Sequence, residues 1–493
     1  MSAQKFRDTT LAAMQQAVLT ELLPDLSSSK NHESALATGR LLARLRVDLE
    51  IAPALAAERL GVWQQLTKRL GTVSGATTGQ APDNSDPLVR LRTESAQVAA
   101  TVAGKRLRPE YLLALAQPQS AEASWFADTV AATRNYIEAY ESTIPKVTGK
   151  GEAPAADPEL MRQKLSHYLT TRFPALPPNP VKSFKVIPGG RSKETALFEL
   201  VRNEVLPTRL VLRRDHVTGT TGTSVFGEYA LLQAMEALGL PVPKPIAGEP
   251  DPAHLGGGFI IVEEVVDATR AGDLFPELND MTRFDVSFAP DLARALARLH
   301  RLTEYPEGAE LGGHHAASEP LDMVRNFQGL WDGLTHKPPL SVATELGFAW
   351  LLSHPLPTGR PRRLVHGDVG FHNMMLRDGK LAALLDWELT HIGDPAEDIG
   401  YIRAPILKPL MPWDRFVETY VAEGGEGTAC DLQAVNWYSV WACTRNSVYC
   451  SILYDMACQG VRTDLDAVFP AIDFVARTQQ YIVRELEIAL KTP

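Results

Sequence analysis

Leu364-Val365-His366-Gly367-Asp368-Val369-Gly370-Phe371-His372-Asn373, followed by Met374 to Leu385 and then Asp386-Trp387-Glu388, decides how this chain folds. The stretch reads as a strand, a loop, a hairpin and a terminal carboxylate. Asp378-Gly379 divides two apolar runs, Met374-Met375-Leu376 and Leu381-Ala382-Ala383-Leu384-Leu385. Asp-Gly between such runs is the strongest short-range signal of a two-residue hairpin. With that turn, Arg377 is expected to pair with Lys380, and Asn373 with Leu384. Side chains alternate faces along a strand, so Asp386 becomes the diagonal neighbour of Asn373 on one face, roughly 7–8 Å away. Asp368 stands on the loop just before the hairpin. A free carboxylate, a carboxamide and a second carboxylate therefore converge on one small volume.

Phosphoryl transfer asks for that set. One carboxylate orients and deprotonates an attacking hydroxyl, and a pair of oxygen ligands holds Mg²⁺ against the nucleotide phosphates. The kinase catalytic loop is His-x-Asp, four residues, then Asn, with a later Asp for the metal. His366-Gly367-Asp368, Asn373 and Asp386 match it. The variant with Gly after His, Trp387-Glu388 after the metal Asp, and Gly393-Asp394-Pro395 leading to Asp398 resembles the aminoglycoside phosphotransferase and choline kinase-like family. Within that family it resembles most the branch found fused to acyl-CoA dehydrogenases. The resemblance spans residues 158 to 460. It implies an α+β, two-lobed protein-kinase-like fold: a small, mainly β N-lobe at 158–265 and a larger helical C-lobe at 266–493 that carries the catalytic loop and acceptor pocket. It also implies ATP and Mg²⁺ as cofactors, Asp368 as the base, and Asn373 and Asp386 as metal ligands.

Composition bounds the alternatives. The 493 residues are 45% hydrophobic and 22% charged, the balance of an ordinary globular protein. A net charge of −10 argues against a broad nucleic-acid-binding surface. No apolar run is long enough to span a membrane, and the first residues lack the apolar core of a signal peptide. The four cysteines, Cys430, Cys443, Cys450 and Cys458, form no CxxC pair. The last three, spaced by seven and eight, are expected as a buried stripe on one helix face. Cytoplasm is the expected location.

Residues 1–146 read as an all-α accessory domain. Leu11, Met14, Val18 and Leu22 recur at helical spacing, as do Leu41, Leu45 and Leu49, and Trp63, Leu66 and Leu70. Ala121 to Glu141 adds a helix with Trp125, Tyr136, Ile137 and Tyr140 as core. His32-Glu33 reads as a capped helix start rather than a site. This segment is expected to serve dimerisation or partner docking. Residues 147–157 have linker composition, so a fragment beginning near Asp157 is expected to fold alone.

From Phe184 the pattern turns to strands. Gly189-Gly190 let the backbone approach a phosphate, and Ser192 can donate to its oxygens; a plain hairpin turn is the alternative. In the strand Leu210 to Arg214, Val211 and Arg213 share a face. Val211 is expected against the adenine. Arg213 stands where relatives carry the phosphate-gripping lysine, keeping the charge and adding bidentate geometry. Glu228, in a helix from Val225 to Leu238, is its expected partner, against the plain reading of a surface glutamate. Phe259 to Val265 resembles the connection between kinase lobes, where the main chain of Glu263 and Val265 would meet adenine.

The remainder reads as helical. His300 ends the Leu292, Leu296, Leu299 stripe and is expected to orient rather than catalyse. Asp398 and Tyr401 are expected to brace the catalytic loop. Helices near 412–423, 432–459 and 467–490 would build the acceptor pocket. Trp437, Tyr438, Trp441, Arg445 and Tyr449 read either as substrate contacts or as core. No P-loop, His-Glu-x-x-His or Gly-x-Ser-x-Gly pattern is present. The expected activity is transfer of the γ-phosphoryl group of ATP to a hydroxyl of a small metabolite, such as a hydroxyacyl-CoA or another catabolic intermediate. The alternatives are an antibiotic phosphotransferase of the aminoglycoside type and a non-catalytic ATP-binding regulator.

Overall fold

The computed structural model describes residues 37–44, 47, 52–74, 87–142, 158–187, 193–215, 224–272, 288–309, 319–339, 341–403, 410–461 and 470–491. The helical spacing at Leu11 to Leu22 and the stretch around His32 lie outside these residues, as does the linker at 147–157.

Helical periodicity sets the first part of the chain: α1 (Ala52–Ser74), α2 (Pro87–Lys105), α3 (Pro109–Leu115) and α4 (Ala121–Ser142). Proline opens α2 and α3, where its missing N–H is unpaired in any helix and its fixed φ suits the first turn. Trp63, Leu91, Val98, Trp125 and Phe126 are fully buried.

Next come α5 (Pro158–Arg172), β1 (Val181–Ile187), β2 (Lys193–Leu200), β3 (Arg209–Asp215), α6 (Val225–Ala237), β4 (Pro245–Glu249) and β5 (Phe259–Glu263). The strands form one antiparallel sheet in the order β1-β2-β3-β5-β4. Period two gives this sheet its faces. Leu210 and Leu212 of β3 join Phe259 and Ile261 of β5 in a core roofed by α5, where Tyr168 meets Phe259 edge-on at 4.8 Å between centroids. Ile260, Val262 and Val211 point the other way and pack in a second core with α6 and the large lobe.

The large lobe follows: β6 (Thr269–Arg270), α7 (Phe288–Leu299), α8 (Pro320–Asp332), α9 (Val342–Ser353), β7 (Arg363–Val365), β8 (Met374–Arg377), β9 (Lys380–Leu384), β10 (His391–Gly393), α10 (Ala396–Ile402), α11 (Trp413–Ala422), α12 (Leu432–Cys458) and α13 (Val475–Lys491). The architecture is α+β and two-lobed in the protein-kinase manner, with an all-helical segment ahead of it.

The hairpin turn sits where expected. Arg377 pairs with Lys380, and Asp378 and Gly379 take φ of 52° and 78°, as a two-residue primed turn requires. The register beyond the turn differs. Leu376 pairs with Leu381 but Met375 with Ala383, so Ala382 is one extra residue and the strand bulges. Met374, not Asn373, pairs with Leu384, and the Leu385 N–H donates to the Asn373 carbonyl at 2.8 Å. One inserted residue exchanges the faces of everything after it, so the simple diagonal between Asn373 and Asp386 is lost.

The buried core also ignores the expected boundary near residue 147. Trp63, Trp125 and Tyr136 of the first helices belong to the same apolar cluster as Trp331, Phe348, Trp437, Trp441 and Leu486 of the large lobe. Trp437, Tyr438 and Trp441 are therefore core residues and do not line the cleft. The cysteine stripe holds only in part. Cys450 is buried and Cys443 half-buried, but Cys458 is exposed at the end of α12. No helix among the described residues is long and apolar enough to cross a membrane.

Candidate active site

The loop that follows β7 is suspended from the buried side chain of Asp398. Its Oδ2 accepts the His366 N–H and its Oδ1 the Gly367 N–H, both at 2.8 Å. His300 Nε2 meets the same carboxylate at 3.0 Å, and His300 Nδ1 lies 2.7 Å from the Tyr420 hydroxyl. Burial alone would raise the Asp398 pKa, but the hydrogen bond and charge of His300 and the His366 contacts bring it below the ordinary value. Asp398 thus braces the loop and His300 orients Asp398. The glycine after His366 is a steric need. Gly367 has a φ of 81°, and a Cβ there would stand 2.5 Å from the Leu389 carbonyl oxygen.

Asp368 is held on several sides. Asn373 Nδ2 donates to its Oδ2 at 2.9 Å and to its carbonyl at 2.9 Å. His372 Nε2 lies 3.2 Å from Oδ2. Burial alone would raise this carboxyl, but the charge and hydrogen bond of His372, the charge of Arg445 and the Tyr401 hydroxyl hold it far below the usual range. Asp368 is thus placed to accept hydrogen bonds, as it does from Asn373. His372 was not singled out by the sequence reading, although it stands four residues after Asp368.

His366 joins the loop to the hairpin. Its Nδ1 accepts the Asp368 N–H at 3.3 Å, which makes Nε2 the donor to the Leu385 carbonyl at 3.0 Å. Asp386 is the next residue. It takes a left-handed conformation, φ 62° and ψ 68°, which turns its carboxylate out of the strand.

The face expected for β3 is the face found. Arg213 reaches between the lobes: Nη1 donates to Glu228 Oε2 at the start of α6, and Nη2 to Asp386 Oδ1 at 2.8 Å. Glu228 is fully buried in the first turn of α6, not a surface glutamate. Burial raises its carboxyl against the pull of Arg213. Carboxylate oxygens of Glu228, Asp386 and Glu388 lie within 4.8 Å of one another. Glu228 Oε1 is buried and has no hydrogen-bond partner among the described residues. Oxygen-only ligands with one unsatisfied acceptor suit a hard cation such as Mg²⁺. Both Asn373 contacts with Asp368 use the amide nitrogen, which directs Oδ1 away from them. Glu388 was not singled out from sequence; its one signal is the Asp-Trp-Glu spacing.

On the nucleotide side, Val211 is half-buried beside Arg213. The Glu263 N–H is taken up by the Lys244 carbonyl at 2.8 Å, which leaves the carbonyl side of Glu263 and the amide of Val265 to meet a base. Gly189, Gly190 and Ser192 lie outside the described residues. Lys193, the next described residue, is buried and pairs with Asp215 Oδ1 at 2.7 Å. On the acceptor side, Arg445 is fully buried against Glu397, and only Tyr449 of the five α12 candidates keeps partial exposure.

Several known proteins share this chain's pattern. Acyl-CoA dehydrogenase family member 11 of Homo sapiens is 26% identical over 181 residues, covering 35% of this chain and 22% of that protein. Acyl-CoA dehydrogenase family member 10 of Mus musculus is 25% identical over 201 residues, covering 40% of this chain and 18% of that protein. The chain thus spans about a fifth of the length of these relatives. Among solved structures, choline kinase LicA of Streptococcus pneumoniae aligns with a TM-score of 0.44 at 15% identity, over 66% of this chain and all of that one. The model of the phosphotransferase enzyme family, APH, matches residues 183–432, just over half of the chain, including Arg213, Glu228, Asp368, Asn373 and Asp386. The chain belongs to the APH phosphotransferase family.

Proposed function

We propose that this protein is an ATP- and Mg²⁺-dependent small-molecule kinase that transfers the γ-phosphoryl group to a hydroxyl of a metabolite, a hydroxyacyl-CoA or another catabolic intermediate. One observation carries the reading: Arg213 joins Glu228 of the small lobe to Asp386 of the large lobe, and His366 ties the residue before Asp386 to the loop that holds Asp368. The parts that grip, ligate and deprotonate are thereby linked by hydrogen bonds.

Each residue has a role. Val211 packs on the adenine, while the Glu263 carbonyl and Val265 amide read its edge. Gly189, Gly190 and Ser192 cradle the phosphates. Arg213 holds phosphate oxygens, a task its planar fork does with more directionality than a lysine. Asn373 and Asp386 hold Mg²⁺, with Glu388 beside them. When bound, the ion neutralises charge on the β- and γ-phosphates. Asp368 orients the acceptor hydroxyl and takes its proton. Its low pKa makes it a poor base toward a resting alcohol, so the proton moves once bond formation to phosphorus has acidified the hydroxyl. A loose phosphoryl-transfer transition state tolerates that order, because positioning and charge neutralisation carry most of the catalysis. Two carboxylates around the site are engaged by arginines: Glu397 by Arg445 and Asp386 by Arg213. That pattern favours a metabolite acceptor over a polycationic antibiotic.

The test is a screen of hydroxyl acceptors, hydroxyacyl-CoAs included, with ATP consumption read against Asp386→Ala. The expected result is acceptor-dependent consumption that the variant loses. Tight nucleotide binding without transfer to any acceptor would favour an ATP-binding regulator instead.

A further inference from the structure

Asp215, the last residue of β3, gathers three donors on one carboxylate. Oδ1 accepts from Lys193 Nζ at 2.7 Å and from the Val225 N–H at 2.9 Å, and Oδ2 accepts from the Ser224 hydroxyl at 3.1 Å. Lys193 is its cross-strand partner in the register of β2 with β3 and is only 4% exposed. The Asp215 main chain is fixed as well. Its N–H donates to the Gly258 carbonyl at 2.9 Å, and a Cβ at Gly257 would stand 2.7 Å from its carbonyl oxygen.

Capping alone does not call for this carboxylate. A helix is ordinarily capped by the residue just before it, and Ser224 fills that place, its Oγ accepting the Phe226 N–H at 3.2 Å. Asp215 lies ten positions before Val225 and belongs to a strand, so its bond fixes where α6 begins relative to β3. The same strand holds α6 a second time. Arg213 and Asp215 share a face by the two-residue pleat, and Arg213 Nη1 donates to Glu228 in the first turn of α6. One turn of helix moves as a unit, so a shift that parts Val225 from Asp215 also draws Glu228 from Arg213. Lys193 is the first described residue of β2 and follows Gly189, Gly190 and Ser192 in sequence. The Asp215 carboxylate therefore ties the start of β2 to the start of α6.

We propose that Asp215 is a positioning residue for the nucleotide phosphates: with Lys193 it fastens the first turn of α6 to β3 and thereby holds Glu228 where it aims Arg213. Asp215 itself touches no substrate. The inference rests on Arg213 being the phosphate grip of the proposed kinase.

The probe is calorimetric binding of ATP with Mg²⁺, and of adenosine, to the full-length protein. Thermal unfolding confirms that each variant is folded. Asp215→Ala should weaken ATP about tenfold, the low end for one hydrogen bond to a charged group. It should leave adenosine unchanged, because adenosine has no phosphates for Arg213 to hold. Asp215→Asn, which keeps an oxygen for the Val225 N–H but not the charge opposite Lys193, should lose less. Asp215→Ala/Glu228→Ala should bind ATP no more weakly than Glu228→Ala alone, because both act through Arg213. A folded Asp215→Ala with wild-type ATP affinity overturns the proposal. So does an equal loss for ATP and adenosine, or losses that multiply in the double variant. Should Asp215→Ala fail to fold, Asp215→Asn decides, and wild-type ATP affinity in it overturns the proposal. Arg213→Ala separates the two levels. Wild-type ATP affinity in that variant removes the phosphate grip itself, whereas a weak Arg213→Ala beside a tight Asp215→Ala removes only the role of Asp215.

Discussion

Arg106 Nε donates to Glu345 Oε2 at 2.8 Å, and both side chains are at most 2% exposed although 239 positions separate them in the chain. The same glutamate accepts from Trp331 Nε1 at 2.8 Å, and Arg106 Nη2 reaches Asp332 Oδ1 at 2.7 Å. A buried ion pair therefore fastens the helical segment to the large lobe in the middle of a shared apolar core.

Arg106→Ala should destabilise the protein by about 3 kcal/mol, the low end for a broken buried pair, since Glu345 keeps Trp331 and a 3.4 Å contact to Lys337. Arg106→Met/Glu345→Met should cost less than the single change, because no buried charge is left unpaired. Urea denaturation of the three proteins measures this. By the same reasoning a fragment beginning near Asp157 is expected to be insoluble, since removing α1 to α4 bares the Trp331, Phe348 and Trp441 faces. Linker composition at 147–157 pointed to the opposite outcome. Expression of the fragment decides between them.

Arg213→Lys should keep activity within about tenfold of wild type, and Arg213→Ala should lose on the order of 10²-fold, the usual worth of one preorganised donor to developing charge. A lysine retains the charge but cannot span Glu228 and Asp386 in two directions as the guanidinium does. Equal rates for Ala and wild type would assign the phosphates to another cation.

Asp386→Ala should abolish the Mg²⁺ dependence of nucleotide binding measured by calorimetry. It removes a central member of the Glu228, Asp386, Glu388 group and frees one arm of Arg213. Unchanged affinity with and without Mg²⁺ would exclude it as a ligand.

What the sequence disclosed follows the range of the forces involved. The pairing of Val211 with Arg213 on one face, and of Arg213 with Glu228, follows from the two-residue pleat and the helical start at Val225, both local. The turn at Asp378-Gly379 is local too. The bulge at Ala382 is not, because Ala382 and Ala383 look alike in sequence and nothing local says which one is the extra residue. Trp437 and Trp441 have the helical spacing of either a cleft wall or a core. Only the packing of α1 to α4 decides between those, and that is a contact across hundreds of residues. Glu388 and His372 escaped notice because their roles come from folded proximity to Asp386 and Asp368.

Two buried histidines should act on stability in opposite directions as pH changes. Burial alone would lower the His391 pKa, but the charge and hydrogen bond of Glu397 raise it. An unfolded histidine titrates near 6.5. Below that value the His391–Glu397 pair contributes in full, and the contribution is lost as pH climbs through the higher folded pKa. His366 is lowered by burial, despite nearby Asp398 and Asp368, so acidification below about 6.5 favours the unfolded state. In His391→Asn the fall of melting temperature with pH above about 6.5, the unfolded histidine value, should flatten while the acidic limb stays. An alkaline limb of unchanged slope would place its source elsewhere.

Asp368→Asn should slow phosphoryl transfer by about 10²–10⁴-fold, the usual worth of a positioned acid–base group, with nucleotide affinity near normal. The argument is geometric. Asp368 precedes the hairpin, and its side chain bonds to Asn373 and His372, outside the Arg213, Glu228, Asp386 group; Asn373, the proposed metal ligand, also donates to the Asp368 carbonyl, a bond that the variant keeps. Asparagine keeps the shape and one acceptor oxygen. It cannot take the proton or carry the charge to which His372, Tyr401 and Arg445 are directed. Its oxygen can take the place of Oδ2, where both the Asn373 and the His372 contacts fall, so the variant loses the charge and keeps the geometry. Single-turnover transfer and calorimetric ATP affinity, measured on the same preparation, separate the outcomes. Full-rate transfer removes Asp368 from the mechanism. Affinity that falls in step with rate moves it into the metal site, because a base that meets only the acceptor has no reason to alter the binding of ATP.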